Sequence, residues 1–285
     1  MRFLVLGASG MAGHTIALYL QERGHDVTGF ARRDVPFLRK VVTGDATDLE
    51  TLGGLIKDGG FDVVVNCVGV LNRAAEANPD ARYLNGTLPH VLALVVDGTP
   101  TRVFHMSTDC VFAGNTGPYT EDSEPDGTSA YDRTKAEGEL NDAHNLTFRN
   151  SIVGPDTNPR GIGLLNWFMQ QPGPVRGFTG AIWTGLTTLE LAKAMEHEAA
   201  EDAVGLVNMV PSEPITKYDL LGLFDRELRG GTVEIVPDGE LRLDKALTRT
   251  NFGPTYRPQP YDEQVRELGA WVRMHRELYP HYEVI

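Results

Sequence analysis

The first thirteen residues constrain this chain more than any other stretch. An apolar run, Arg2 to Leu6, ends at Gly7-Ala8-Ser9-Gly10-Met11-Ala12-Gly13, and Met11 to Arg23 then reads as a helix. A strand that stops at a glycine turn and feeds a helix is the usual entry to a dinucleotide site. The backbone there must turn sharply, admit a pyrophosphate and pack helix against sheet, and each demand favours a residue without a side chain. Amides at the helix start, with the partial positive charge of its N-terminus, then hold phosphate. Gly7, Ser9, Gly10, Met11 and Gly13 are the residues expected to do so. Their spacing is Gly-x-x-Gly-x-x-Gly rather than the commoner Gly-x-Gly-x-x-Gly.

The pattern downstream extends that beginning. Strands are expected at Asp26–Ala31, Val41–Val42, Phe61–Val68, Arg102–Met106 and Leu146–Val153, with helices over Pro79–Val96 and Ala130–Ala143 between them. Continuous apolar strands separated by helices indicate a parallel sheet covered on both faces, an α/β doubly wound (Rossmann) fold. After Gly154 the pattern loosens into a smaller mixed α/β lobe. It has helices over Leu164–Gln171, Thr188–Ala200, Lys217–Leu228 and Asp262–Leu278, and strands at Leu206–Val210 and Thr232–Val236. Val265, Leu268, Trp271 and Val272 lie at helical spacing and are expected to be core. The expected division is residues 1–154 for the dinucleotide, rejoined by about 181–204, and mainly 155–285 for substrate.

The end of the second strand bears on which dinucleotide binds. A free ribose 2′-hydroxyl is usually held by an acidic residue there, a 2′-phosphate by cations. This chain offers Arg32 and Arg33, two guanidiniums suited to bidentate phosphate contacts, so NADPH is expected in preference to NADH. Asp45, after the third strand, is placed to accept from the adenine amino group, and Cys67-Val68-Gly69 to line the ribose. Tyr131 and Lys135, four apart at a helix start, share one face. A cation near a phenol of ordinary pKa near 10 favours its ionised form and brings it closer to use in proton transfer. Ser107-Thr108-Asp109 ends the fifth strand, where a hydroxyl can stabilise a carbonyl oxygen as hydride arrives.

With these motifs in order, the chain resembles the extended short-chain dehydrogenases/reductases. Ser107-Thr108-Asp109-Cys110-Val111-Phe112-Ala113-Gly114 is similar to the Ser-Thr-Asp-Tyr-Val-Phe-x-Gly block of the dTDP-4-dehydrorhamnose reductase family. Asn66-Cys67-Val68-Gly69, Tyr83-Leu84-Asn85, Tyr119-Thr120-Glu121-Asp122 and Phe148-Arg149-Asn150-Ser151 match further blocks. The resemblance implies hydride transfer from NADPH to the 4-keto carbon of a nucleotide-linked 6-deoxyhexose. Thr108 would bind the carbonyl, Tyr131 donate the proton and Lys135 activate it and hold the nicotinamide ribose. Asn85 and Ser107 join the cofactor set, and Asp109 and Cys110 the sugar side. Cys110 replaces a family tyrosine, Ile152 stands where tryptophan is common, and Val70-Leu71-Asn72-Arg73 departs from an apolar, alanine-rich stretch; the sugar therefore stays open. Arg73, Asn150, Trp167, Arg176 and Trp183 are candidates for sugar, base or diphosphate, with packing an equal reading of each. Arg149 reads as structural.

The formal charge of −13 argues against a nucleic-acid partner. No apolar run reaches the roughly 18 residues that span a bilayer, and Met1–Leu6 runs straight into the glycine motif, so neither membrane span nor signal peptide is expected. Cys67 and Cys110, the two cysteines, sit in apolar strand-like runs and are expected to be reduced thiols of a cytoplasmic protein. The eight histidines are scattered. His90 and His105 are read as structural, and no metal is expected. A homodimer is an open expectation. Two alternatives remain: an epimerase or dehydratase that recycles its cofactor, and a non-catalytic partner like the regulatory subunit of methionine adenosyltransferase.

Overall fold

The computed structural model describes residues 1–71 and 73–284, with Arg73 described by its backbone. The first strand, β1 (Arg2–Leu6), alternates its side chains between two apolar layers. Phe3 and Val5 pack with Ile16, Ala17 and Leu20 on one side, while Leu4 and Leu6 meet Leu52, Leu88 and Leu92 on the other. A strand covered on both faces reads as one apolar run, as this one does. The chain continues through α1 (Met11–Glu22), β2 (Asp26–Ala31), β3 (Val41–Thr43), α2 (Leu49–Gly59), β4 (Val63–Asn66), α3 (Arg73–Ala77) and α4 (Leu88–Val96). Next come β5 (Arg102–Met106), α5 (Ala130–Glu137), β6 (Leu146–Arg149), β7 (Ile152–Val153), α6 (Leu164–Met169), β8 (Val175–Trp183) and β9 (Leu186–Thr187). Then follow α7 (Thr188–Ala199), β10 (Gly205–Asn208), β11 (Ile215–Thr216), α8 (Lys217–Phe224), β12 (Ile235–Asp244) and α9 (Tyr261–Met274).

Seven strands form one parallel sheet in the order β10-β6-β5-β4-β1-β2-β3. β1 pairs with both β2 and β4, so the strand order reverses at β1. A crevice opens at the carboxyl ends of the strands there, where this topology places ligands. Late elements rejoin this body: α7 packs against α1, and β10 adds the sheet's far edge beside β6. That strand begins one residue after the stretch 181–204. A second sheet, β11-β8-β12, carries α6, α8 and α9 around its own core. Val265, Leu268, Trp271 and Val272 of α9 are all buried in it, as their spacing predicts.

Several boundaries differ from the sequence reading. The sixth strand is split: Asn150 and Ser151 separate β6 from β7, which leaves the large sheet to pair with β9. The helix expected to Ala143 stops at Glu137, because Gly138 passes against the backbone of Asn85; a Cβ on it would sit 2.0 Å from that carbonyl oxygen. Pro79–Val96 is not one helix but a π-helical turn, Tyr83–Thr87, leading into α4. The strand expected at Thr232–Val236 runs instead over Ile235–Asp244. Cys110 lies in a 3-10 turn, Asp109–Val111, and not in a strand.

One buried contact ties the two cores together. His14 of α1 bonds through Nδ1 to the Gly10 carbonyl (3.0 Å) and through Nε2 to the Tyr279 hydroxyl (2.8 Å). The carbonyl can only accept, so Nδ1 carries the proton and Nε2 receives the phenol's. Burial pushes the imidazole below its ordinary pKa, consistent with that neutral form. The Trp271 indole donates to the same hydroxyl at 3.2 Å.

Candidate active site

The glycine loop is built by backbone contacts. Gly7 has φ +75°, the left-handed region that side chains disfavour, and its amide bonds to Phe30 at 2.9 Å. A Cβ on Gly13 would stand 2.2 Å from the Gly7 carbonyl oxygen, which is how α1 comes so close to the turn. Gly10 caps α1 without a side-chain hydrogen bond. The first amides of the helix are thus left for an anion, and Gly10, Met11 and Ala12 line a cleft of about 370 Å³. Ser9 is half-buried on the turn. The cradle fits a dinucleotide pyrophosphate, since the helix start carries no side-chain cap and borders the cleft.

Arg32 and Arg33 lie exposed past the end of β2, outside the cleft lining. Asp45 is exposed as well, its Oδ1 accepting from the Thr47 amide (2.9 Å) and hydroxyl (2.8 Å). Those bonds, with a smaller pull from Arg32, hold its carboxyl below the usual range. Cys67, Val68 and Gly69 line the cleft. Burial pushes both thiols, Cys67 and Cys110, up to about 12, and both are free. Asn85 is committed elsewhere: it clamps the Val70 amide and carbonyl (2.8 and 3.0 Å) and donates to Thr134 (3.1 Å). It holds the loop after β4 and does not line the cleft.

Thr108, Tyr131 and Lys135 all line this one cleft. The Ser129–Asp132 capping box starts α5 just before Tyr131, so phenol and ammonium project from its first turns. The Thr108 hydroxyl accepts from the Cys110 amide and donates to Asp109 Oδ1, both at 3.2 Å. Burial first, and the neighbouring Cys110 thiol second, raise the Tyr131 phenol above its ordinary pKa. The net shift is upward where the sequence predicts a lowering by Lys135; Lys135 Nζ turns to the Met106 carbonyl at 2.5 Å, with His105 Nε2 3.5 Å away. Burial lowers this ammonium to about 8, against a pull upward from Glu139. His105 bonds to Asn66 (3.2 Å) and His90 to the Glu137 carbonyl (2.8 Å), both in structural positions.

Ser107 lines the cleft as well, its hydroxyl donating to Glu139 at 2.6 Å. The same carboxylate takes both ends of Arg149 in a buried pair (2.5 and 2.7 Å), so Arg149 is structural. Of the sugar-side candidates, Cys110 and Asn150 line the cleft. Asp109 is buried behind it, its carboxyl raised by burial and pulled back by Lys217 and Lys245. Trp183 is 2% exposed and packs on Tyr261. Arg176 is not brought in: it is exposed and paired with Asp238 and Glu240. Trp167 is 41% exposed and also lies outside the lining. The Arg73 side chain and Asn72 lie outside the described residues. Lys217, expected only as the start of a helix and not as a site residue, does line the cleft; its one local signal is a cation directly after the Thr216 helix cap.

A family model described as the RmlD substrate binding domain matches residues 1–149. The chain is 37% identical over 143 residues to the probable low-salt glycan biosynthesis reductase Agl14 of Haloferax volcanii, covering 49% of this chain and 48% of that one. It is 34% identical over 272 residues to a dTDP-4-dehydrorhamnose reductase of Streptomyces griseus, 94% of this chain and 77% of the relative. The match spans about half the length, or a little less, of most of its curated relatives. A dTDP-4-dehydrorhamnose reductase of Bacillus anthracis, solved in complex with NADP, superimposes with a TM-score of 0.78 at 14% identity, covering 95% and 99% of the two chains. That likeness is one of fold. The family match over the first 149 residues, with the near full-length similarity to the Streptomyces griseus enzyme, shows that this chain belongs to the dTDP-4-dehydrorhamnose reductase (RmlD) family of extended short-chain dehydrogenases/reductases.

Proposed function

We propose that the chain is an NADPH-dependent reductase of a nucleotide-linked 4-keto-6-deoxyhexose. One observation carries the reading: the Thr108 hydroxyl, the Tyr131 phenol and the Lys135 ammonium border the same cleft as the uncapped start of α1. Bound over the glycine turn, NADPH supplies the hydride. Arg32 and Arg33 would hold its 2′-phosphate, and Asp45 the adenine. Thr108, turning its hydroxyl from Asp109 when substrate binds, donates to the carbonyl oxygen and stabilises charge growing there as its carbon is reduced. Tyr131, kept protonated by its raised pKa, delivers the proton that turns that oxygen into a hydroxyl. Lys135 places a positive charge beneath the reacting group and is free to leave the Met106 carbonyl for a ribose hydroxyl. Cys110 and Asn150 face the sugar. The seven-stranded sheet serves the cofactor, and the smaller sheet with α6, α8 and α9 serves the nucleotide sugar. No helix of the described residues is long and apolar enough to cross a membrane, and we place the activity in the cytoplasm.

The test is purified protein with NADPH and a panel of 4-keto sugar nucleotides, followed by loss of NADPH absorbance. Oxidation with none of them overturns the reading. Tightly held nicotinamide that survives purification and is never consumed would instead favour an epimerase or dehydratase.

A further inference from the structure

Two cations line the cleft, Lys135 and Lys217. Lys135 is engaged by the Met106 carbonyl, and Arg176, the cap-lobe cation expected to meet a diphosphate, is paired outside. Lys217 is different. It opens α8, and its ammonium stands over the Trp183 indole, 4.4 Å from the ring centre. Among the described residues that aromatic face is its partner, with no carboxylate in ion-pair reach. Asp109, the acid whose charge it feels most, accepts from Thr108 instead.

An ammonium in a poorly solvated wall is unfavourable until an anion joins it. Burial lowers Lys217 to about 8, which leaves it mostly charged at neutral pH and primed to gain from an anionic partner. The indole fixes the ammonium in place by a cation–π contact. Resting on the reductase reading above, we propose that Lys217 receives an anionic oxygen of the substrate. The diphosphate bridge is the anion every nucleotide sugar brings; a carboxylate on the sugar ring is the other source of the same chemistry. In this role Lys217 replaces Arg176, and Trp183 acts as its platform and not as a base-stacking residue.

The experiment is calorimetric titration of the full chain, saturated with NADPH, with dTDP, thymidine, UDP-glucose and UDP-glucuronate. Lys217→Gln should weaken dTDP about 10- to 100-fold, the scale of one lost charge-assisted hydrogen bond, and leave thymidine and NADPH unchanged. Lys217→Arg should stay within a few-fold of the parent. A loss confined to UDP-glucuronate relative to UDP-glucose assigns the contact to a sugar carboxylate. Lys217→Met keeps the packing over Trp183 and must show the same losses, which separates charge from folding. Parent-like affinity of Lys217→Gln and Lys217→Met for all four probes overturns the proposal. A parent protein that binds NADPH but none of the nucleotides overturns the nucleotide-sugar reading itself.

Discussion

Gly13→Ala tests whether the cradle depends on the close approach of α1 to the turn. The new methyl would lie 2.2 Å from the Gly7 carbonyl oxygen and 2.8 Å from its carbon. Carbon–oxygen contacts settle near about 3.3 Å, so α1 must retreat by roughly 1 Å. Gly7 resists yielding, since its own amide is bonded to the Phe30 carbonyl at 2.9 Å. Overpacking of this kind costs about 1–3 kcal/mol of stability. The retreat also takes the helix amides out of hydrogen-bond range of a phosphate, which should weaken NADPH roughly 10- to 100-fold. Gly53→Ala is the control: it sits inside α2 with nothing within 4 Å of its Cβ, and should stabilise by about 0.5–1 kcal/mol. Urea unfolding and fluorescence titration with NADPH read both quantities. Unchanged stability and unchanged NADPH affinity in Gly13→Ala would refute the reasoning.

Tyr131→Phe should lower turnover by about 10²- to 10⁴-fold while NADPH titrates as in the parent; undiminished turnover removes the phenol as proton donor. Arg32→Ala with Arg33→Ala should weaken NADPH far more than NADH, and equal losses would show that neither guanidinium reads the 2′-phosphate. Arg149→Met strands the buried Glu139 carboxylate and should cost roughly 3–5 kcal/mol, much of it recovered when Glu139→Gln is added; a mild single variant argues against the pair. Lys135, with its pKa near 8 in the fold and about 10.4 when exposed, loses its charge first in the folded protein. The unfolded chain therefore binds more protons between those values, and stability contributed by this group rises with pH across that window. Over the same rise kcat/KM should fall through pH 8 as the ammonium is lost; a profile flat to pH 10 contradicts this.

The large sheet was legible because its strands are covered on both faces: β1, β2 and β5 read as apolar runs with the boundaries they have in the fold. The smaller sheet was hidden. Along β8 exposed and buried residues mix, and Gly177 and Gly180 interrupt the alternation; at Gly177 a Cβ would meet Tyr218 at 2.8 Å, so the glycine serves tight packing by α8. α2 escaped notice since only Leu52 and Ile56 of its residues are buried. Motif spacing identified Thr108, Tyr131 and Lys135, which lie close together in sequence. Lys217 joins them from more than eighty positions away, and pairing at that range leaves no local periodicity to detect. The direction of Lys135 was equally out of reach, because helical spacing places a side chain on a face without saying which carbonyl takes its proton.

The bond between His14 and Tyr279 limits how the crevice can close. The helix that would cradle the pyrophosphate is bolted, through one solvent-free phenol, to the segment following α9. A hinge that swung the substrate side as a rigid body about α1 would have to rupture that junction and leave an imidazole and a phenol stranded in a dry interior. Tightening around a guest is cheaper at the rim, where the stretch from Gly154 to Gly163 carries the exposed Ile162 beside the mouth of the cleft. On the proposed reductase reading, closing over a guest falls to this rim, with the frame behind it held still.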